Sequence, residues 1–356
     1  MALKRSKRKN RCNREERKCS IDTCPCHECK IWMINGSCPN MALKAYKNGN
    51  YTVVISDKDG SKYRVLPDEE EKNGFQPAFP ESMDMNITNK CDNGCPYCYA
   101  NCTLEGKHAD FKKYEKFLDS IHPYTELAIN GNDLSHPDLE WFLEKMKSKN
   151  VFVNMTVSKR HFMEHWEKLL DWTKNKLIYG IGISWDSKST DGFGDTLKLF
   201  PNAVIHIIAG IHNHRDMLEI RSSGARKILI LGYKNKGRGV KYGEEYNILI
   251  EAKQKDMKAY LPQMFKVFEC VVFDNNALEQ LDIKNVVNKE TWNDCYMGQE
   301  GSATMYVDLV NGYYARSSSE PTGSPCIPLR IDDKWTVDYI FQDIKERYAI
   351  RHIETE

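Results

Sequence analysis

The chain lacks the marks of several protein classes. No apolar stretch approaches the ~18 residues of a membrane-spanning helix, and one of the longest covers only 203–211. The basic N-terminus has no apolar segment of the kind a secretion signal needs. Charge of one sign is not in excess, because 51 Lys and Arg face 50 Asp and Glu in 356 residues. We expect a cytoplasmic protein without a membrane segment, and neither a disordered chain nor a uniformly basic nucleic-acid binder.

Cysteine, in contrast, is abundant, with 13 residues. In a long chain without a secretion signal, metal ligation or redox chemistry explains such a number better than disulfides do. The length suits about two domains, or one large α/β domain with appendages. We therefore looked for cysteine spacings that suit a metal or a cluster.

The first 40 residues differ from the rest. Residues 1–18 carry a net charge of +7, which suits a solvated tail or a contact with nucleic acid. Residues 41–44 repeat the opening Met-Ala-Leu-Lys, which indicates that 1–40 is an added extension. The irregular cysteine spacing in this extension leaves zinc, a second iron–sulfur cluster and a flexible tail open. The four candidate ligands are Cys24, Cys26, Cys29 and Cys38.

An alternating pattern of strands and helices dominates the chain after a β-hairpin at 51–66, within the region 41–82. Helical periodicity fills the gaps between apolar strands that look buried on both faces. This arrangement predicts a parallel sheet with right-handed crossovers, an α/β open or closed barrel over 83–250, followed by an α+β cap over 251–356. The predicted strands are 84–88, 126–130, 151–157, 177–184, 203–210 and 227–232.

The most specific motif follows the first predicted strand. Cys91, Cys95 and Cys98 form a C-x3-C-x2-C run. Three thiolates on one loop can bind three irons of a [4Fe-4S] cluster and leave the fourth iron open to substrate or cofactor. The alternatives are three buried cysteines or a zinc loop, although zinc normally takes four ligands in paired C-x2-C spacing.

With an aromatic residue, Tyr97, before the third cysteine, this loop resembles the signature of the radical S-adenosylmethionine superfamily. The resemblance covers roughly 83–240 and implies a partial (β/α)6 TIM-like barrel. It implies that the three cysteines hold the cluster, that S-adenosylmethionine binds the open iron, and that Tyr97 flanks the adenine. It also implies an electron donor of the flavodoxin or ferredoxin type, and a 5′-deoxyadenosyl radical that abstracts hydrogen from a substrate.

A second segment of the resemblance lies after strand two, where the superfamily has Gly-Gly-Glu-Pro followed by His-Pro-Asp. Gly131 is kept, and His-Pro-Asp stands at 136–138. Asn132 takes the place of the glutamate that would accept hydrogen bonds from the cofactor's ammonium group. As a neutral acceptor it would contribute roughly half as much. The alternative is that Asn132 only forms a turn.

Other positions are carried over from the superfamily as single residues. Contacts to the ribose and carboxylate of the cofactor are expected from the later strands, and for each residue a satisfied core hydrogen bond is the alternative. These residues are Asn154, Thr156, Ser184, His206 and Gly210. Leu231 would pack on adenine. Lys234 and Arg238 would face substrate, with a solvated basic turn as the alternative.

The C-terminal third resembles the frame of SPASM and twitch domains around 295–316, without the cysteines that would close a cluster. Only Cys270, Cys295 and Cys326 occur there. We interpret the region as a cluster-free remnant, which favours a peptide or protein substrate. The alternatives are a nucleotide or nucleic-acid substrate tethered by 1–18, and a non-catalytic iron–sulfur or zinc protein.

Overall fold

A computed structural model of the protein describes residues 2–4, 43–56, 60–188, 191–320, 327–328 and 335–348. Residues 2–4 and 327–328 are described as backbone only. Most of the basic segment, the candidate ligands Cys24, Cys26, Cys29 and Cys38, and Cys326 lie outside these ranges.

Strands and helices alternate through most of the described chain. The strands are β1 Ala2–Lys4, β2 Leu43–Asn48, β3 Tyr51–Ser56, β4 Lys62–Val65, β5 Ser82–Asn86, β6 Glu126–Asn132, β7 Phe152–Ser158, β8 Gly180–Ser184, β9 Val204–Ile208, β10 Lys227–Leu231, β11 Cys270–Phe273, β12 Thr304–Asp308, β13 Tyr313–Ala315 and β14 Ile327–Pro328. The helices are α1 Glu115–Asp119, α2 Leu139–Ser148, α3 Lys159–Glu164, α4 Trp166–Lys174, α5 Phe193–Lys198, α6 His214–Ser222, α7 Arg238–Val267, α8 Asn275–Gln280, α9 Lys289–Cys295 and α10 Val337–Arg347. Two short 3-10 helices cover Asp68–Asn73 and Ile283–Asn285.

One mostly parallel sheet organises the fold. Its strand order is β1-β11-β10-β9-β8-β7-β6-β5-β12-β13-β14. Every neighbouring pair from β12 through β5 to β11 is parallel, whereas the outer pairs with β1, β13 and β14 are antiparallel. The six predicted strands correspond to β5–β10. The predicted α/β class with alternating β/α units, as in TIM-like barrels, is confirmed.

Strand β12 runs parallel to β5, with Thr304 opposite Ser82 in the register. The region expected as a cap therefore contributes β11, β12, β13 and β14 to the main sheet. Helix α10 follows, and its apolar face, which includes Phe341 and Ile344, belongs to the same hydrophobic core. The domain boundaries at 40, 82 and 250 remain predictions.

The two faces of the parallel strands differ, which corrects the expectation that both are buried. On β5, Met83 and Met85 are buried in the core. The opposite face, which we call the inner face, includes the accessible Asp84 and Ala128 and the half-buried Asn154. Glycine and alanine on this face count as apolar in a sequence pattern, which predicts burial. Their small side chains instead leave space above the sheet. Since the inner face stays accessible, it can receive a ligand.

A separate antiparallel sheet, β2-β3-β4, precedes the barrel. The predicted hairpin is confirmed as the pair β3–β4, and β2 adds a third strand that the sequence did not indicate. Glu81, buried just before β5, binds this small sheet. Tyr51 donates a hydrogen bond to its carboxylate, Arg64 donates another at 2.8 Å, and the amine of Lys62 lies 3.7 Å away. Burial raises the pKa of Glu81, but Arg64 and Lys62 outweigh it and the pKa is lowered.

We expect Glu81→Gln to reduce the free energy of unfolding by about 3–5 kcal/mol, because Arg64 would remain buried without its counter-charge, whereas Lys62 keeps Glu126 at 2.7 Å. Urea unfolding measures the loss. The lowered folded-state pKa means that the wild-type advantage is fully present above the ordinary Glu pKa of about 4.3 and disappears as the pH falls through the folded value. The control Asp195→Asn breaks an exposed pair with Lys198 and should change nothing measurable. Equal urea midpoints for Glu81→Gln and wild type at neutral pH would contradict the prediction.

Candidate functional site

The predicted cluster ligands lie on a loop after β5, at the carboxyl end of the parallel sheet. We call residues 88–103 the cysteine loop. Its ends are joined by backbone hydrogen bonds from Cys91 N to Thr103 O at 2.9 Å and from Thr103 N to Asn89 O at 3.0 Å. Cys91, Cys95 and Cys98 are half-buried, which leaves each thiol partly accessible. The structure therefore places the three cysteines of the motif on one closed loop.

The three thiols differ in their environments. Burial, with a smaller contribution from neighbouring cysteines, raises the pKa of Cys91 and Cys95. Asn93 Nδ2 lies 3.0 Å from Cys95 Sγ and acts in the opposite direction. A hydrogen bond from Cys102 is the main cause that lowers the pKa of Cys98 to about 6, against burial. The contact with Cys102 thus favours the thiolate form of Cys98, the form that binds metals. Cys102 is buried and was missed in the sequence, because it lies outside the motif.

Two asparagines at the end of β6 form side-chain hydrogen bonds with the backbone where the cysteine loop begins. Asn130 Oδ1 accepts from Ile87 N at 2.8 Å, and its Nδ2 donates to Thr88 O at 2.6 Å. Asn132 Nδ2 donates to Thr88 O at 3.1 Å and to Lys90 O at 2.9 Å. Asn132 also adopts a left-handed φ of 49°. It therefore both forms a turn and supports the loop, and its proposed contact with a cofactor stays a prediction.

Arg238, the first residue of α7, also donates hydrogen bonds to backbone carbonyls of the cysteine loop. Arg238 donates from its backbone N to Cys98 O at 3.0 Å, from Nε to Cys95 O at 2.8 Å and from Nη1 to Cys102 O at 2.8 Å. The expectation that Arg238 faces substrate is corrected, because its guanidinium group is occupied by loop carbonyls. Lys234 Nζ instead lies 4.6 Å from the centre of the Tyr99 ring.

A third contact with the cysteine loop comes from α3, the helix that follows β7. His161 is buried, and its Nε2 lies 2.6 Å from Asp92 Oδ1 while its Nδ1 lies 3.0 Å from Ser158 Oγ. A hydrogen bond from Arg160 is the largest of the causes that lower the pKa of Asp92. Donor atoms of Cys91, Asp92 and His161 lie within 4.8 Å of one another, as a metal site would require. His161 carried no signal in the sequence, since its partner Asp92 is 69 residues away.

The expected cofactor contacts on the later strands are brought together on the inner face. Thr156 and His206 both lie over Gly182, where an added Cβ would be 2.8 Å from Thr156 Oγ1 and 2.3 Å from His206 Cε1. Ser184 is opposite His206 in the register of β8 and β9. Burial lowers the pKa of His206 to about 4, so its ring is neutral at physiological pH.

The remaining predicted residues are Gly131, Leu231 and Tyr97, the last of which belongs to the cysteine loop itself. An added Cβ at Gly131 would lie 2.8 Å from Met155, so the backbone is close-packed there. Leu231 is half-buried at the end of β10. Tyr97 packs edge-on against Tyr242 at 5.7 Å and borders a cavity of about 370 Å³. That cavity, unmarked in the sequence, is also lined by Asp186, His212, Asp216 and Lys253. The cofactor roles of Gly131, Leu231 and Tyr97 remain predictions.

A mostly parallel sheet of β/α units with a three-cysteine loop at its carboxyl end places this chain in the TIM-like α/β class, with its candidate site where such folds carry their active sites. The structure is similar to that of SuiB from Streptococcus suis bound to the precursor peptide SuiA. The TM-score is 0.53 at 9% identity, over 78% of this chain and 82% of that one. SuiB bound to S-adenosylmethionine gives a TM-score of 0.48 at 10% identity, over 78% and 81% of the two chains.

No protein-family model and no curated protein matches the sequence. At these identities the structural likeness shows the fold alone. The resemblance stated from the cysteine motif is thus confirmed at the level of the fold.

Replacing Asn132 tests its support of the cysteine loop. Asn132→Asp should lower the free energy of unfolding by about 1–3 kcal/mol, because a carboxylate oxygen would face Thr88 O and Lys90 O where an amide now donates. Urea unfolding measures the change. Asn247→Asp is the control, because the exposed Asn247 side chain accepts from Ile248 N and aspartate keeps that acceptor. Equal losses for the two variants would show that Asn132 does not support the loop.

A substitution at Gly237 tests how closely the loop after β10 approaches the cysteine loop. It has a φ of +58°, and an added Cβ would lie 2.5 Å from Tyr99 O and 2.7 Å from Cys98 O. Gly192 has a similar φ of +75° but open space around it. Gly192→Ala therefore carries only the backbone cost of about 1–2 kcal/mol, and Gly237→Ala should lose about 1–3 kcal/mol more through overpacking.

Urea unfolding and mass-spectrometric labelling of Cys98 by a maleimide measure the difference between these glycine variants. We expect faster labelling of Cys98 in Gly237→Ala alone, since the clash displaces the cysteine loop. If both variants lose the same stability and label at the wild-type rate, the close contact is not real.

Proposed function

We propose that the protein is a radical S-adenosylmethionine enzyme that acts on a peptide or protein. One observation carries the proposal: Cys91, Cys95 and Cys98 are accessible thiols at C-x3-C-x2-C spacing on a closed loop at the carboxyl end of the first barrel strand. The SuiB-like fold supports the proposal, because it gives such a loop the same kind of scaffold. The sequence motif supports it independently of the fold.

The chemistry of the donors fits an iron–sulfur cluster. Three thiols are the donor set expected for three irons of a cube, and the neighbouring Cys102 lowers the pKa of Cys98. The fourth thiol of the loop, Cys102, is buried and bonded to Cys98 and Asn132, so it is poorly placed as a further ligand. In our proposal Cys91, Cys95 and Cys98 hold the [4Fe-4S] cluster and leave one iron for S-adenosylmethionine.

When bound, the cluster and S-adenosylmethionine supply electron-driven radical chemistry that removes a hydrogen atom from a substrate. The residues of this chain would bind the cluster and the cofactor and orient the substrate. Asn132 on β6, Arg238 at the start of α7 and His161 on α3 attach the cysteine loop to three different elements, which keeps its thiols in place. The neutral side chains above Gly182, Thr156 and His206, offer polar contacts without charge on the inner face.

A peptide or protein is the proposed substrate for two reasons. SuiB is bound to a precursor peptide in the similar structure. The C-terminal region around 295–316 also resembles the domain frame found in peptide-modifying members of the superfamily. A flavodoxin or ferredoxin would supply the electron. The N-terminal extension 1–40 is proposed to be separable from this chemistry.

Alanine variants of the three ligands test the proposal. In a full-length background with Cys24, Cys26, Cys29 and Cys38 changed to alanine, the anaerobically reconstituted protein should hold about four irons per chain. Adding Cys91→Ala, Cys95→Ala or Cys98→Ala should abolish the iron and the formation of 5′-deoxyadenosine from S-adenosylmethionine with dithionite, because each variant removes a ligand.

Cys102→Ala is the matched control for these variants, since it removes a thiol of the same loop that lies outside the motif. It should keep the iron. Four irons retained in any of the three ligand variants would refute the assignment. Iron without 5′-deoxyadenosine in the parent protein would favour a non-catalytic iron–sulfur protein.

A further inference from the structure

Asp84 lies on the inner face of the sheet. In the register of the sheet it lies between Tyr306 on β12 and Ala128 on β6. Its side chain is exposed, although neighbouring protein atoms desolvate it enough to raise its pKa. Because Ala128 beside it is small and exposed, the space next to the carboxylate is open.

This carboxylate has no partner. Among the described residues, Asp84 forms no ion pair and its carboxylate accepts no hydrogen bond. Two nearby carboxylates have partners of their own. Asp274 Oδ1 accepts from Gly232 N and Ala277 N, both at 2.8 Å. Asp308 accepts from the turn that follows it, with Asn311 N at 2.8 Å. Asp84 is therefore available to a ligand.

Aromatic faces adjoin the carboxylate. Tyr99 belongs to the cysteine loop, and its ring is 38% exposed. Burial first, and then the charges of Asp84 and Cys98, raise the pKa of Tyr99, because both groups lie near its ring. The amine of Lys234 already lies 4.6 Å from the ring centre, in a cation–π arrangement. The surroundings of Asp84 thus accept a cation.

Lys234 does not neutralise Asp84 by contact. Its amine donates to Ser318 Oγ at 2.7 Å and acts on Asp84 only through its field, which lowers the pKa of that carboxyl against burial. The carboxylate thus has no contact partner among the described residues. A second cation entering the inner face would be attracted by this charge. An anionic ligand would be repelled.

We propose that Asp84 binds the cationic side chain of a lysine or arginine in the substrate, and so selects peptides that present such a residue beside the cysteine loop. The inference rests on the proposed function for the peptide nature of the substrate. Asp84 supplies the opposite charge, and Tyr99 supplies a ring face for the cation. Asp84 is thereby a specificity-determining residue.

Binding of short probes tests the inference without any radical chemistry. The probes are acetylated and amidated pentapeptides Gly-Gly-Xaa-Gly-Gly, with lysine, arginine, norleucine or glutamate as Xaa, titrated calorimetrically into the full-length chain. We expect the lysine and arginine probes to bind about tenfold or more tightly than the other two. Asp84→Asn should remove this preference, because it is nearly isosteric and loses only the charge. Asp195→Asn, which removes an exposed charge elsewhere, should keep it.

A second variant keeps the test decisive if Asp84→Asn folds poorly. Lys234→Met removes the resident cation and should tighten binding of the lysine probe severalfold, since less positive charge then faces the guest. Equal binding of the lysine and norleucine probes to wild type, or a preference that survives Asp84→Asn, would overturn the inference.

Cofactor cleavage by the wild-type enzyme, measured separately as 5′-deoxyadenosine, distinguishes the two proposals. A preference for lysine without cleavage would sink the proposed function and leave the cation site standing. Cleavage without the preference for lysine would overturn the cation site and leave the proposed function standing.

Discussion

The site depends on side chains that satisfy the backbone carbonyls of the cysteine loop. A loop that is neither helix nor strand leaves its C=O groups without regular partners, and such groups are costly when buried. Asn132 donates to two of these carbonyls, and the side chain of Arg238 donates to two others. His161 contacts Asp92 from the third direction. The placement of the three cysteines follows from these contacts.

The same arrangement relates the thiols to the inner face of the sheet. Tyr99, one residue after Cys98 on the loop, lies near Asp84, whose charge adds to burial in raising the pKa of Tyr99. Any ligand that reaches Asp84 therefore lies close to the cysteine loop. The polar residues farther along the sheet, Thr156 and His206, are neutral, so the charge near Asp84 comes from Asp84 itself, Lys234 and Asp274. A substrate would be positioned by this charge pattern, and the thiols would hold the reactive group next to it.

The sequence predicted the parallel strands well, because each is a short apolar run and each connection has helical periodicity. It was wrong about the inner face. Ala128 and Gly182 count as apolar in a sequence pattern, yet a small residue can border open space or a polar neighbour such as His206. Strand β2 was also missed, since its residues are only half-buried and do not alternate clearly.

By itself the sequence determined the cysteine motif, the class of fold and the strand that precedes the motif, because these depend on residues close together in the chain. Only the tertiary structure decided which residues support the motif. Arg238 is 143 residues from Cys95, and Lys234 is 84 from Ser318. No local pattern encodes such pairs, and none could show that Asp84 is left without one. Partners are selected by the packing of distant strands, and within the described part of the chain that packing gives Asp84 none.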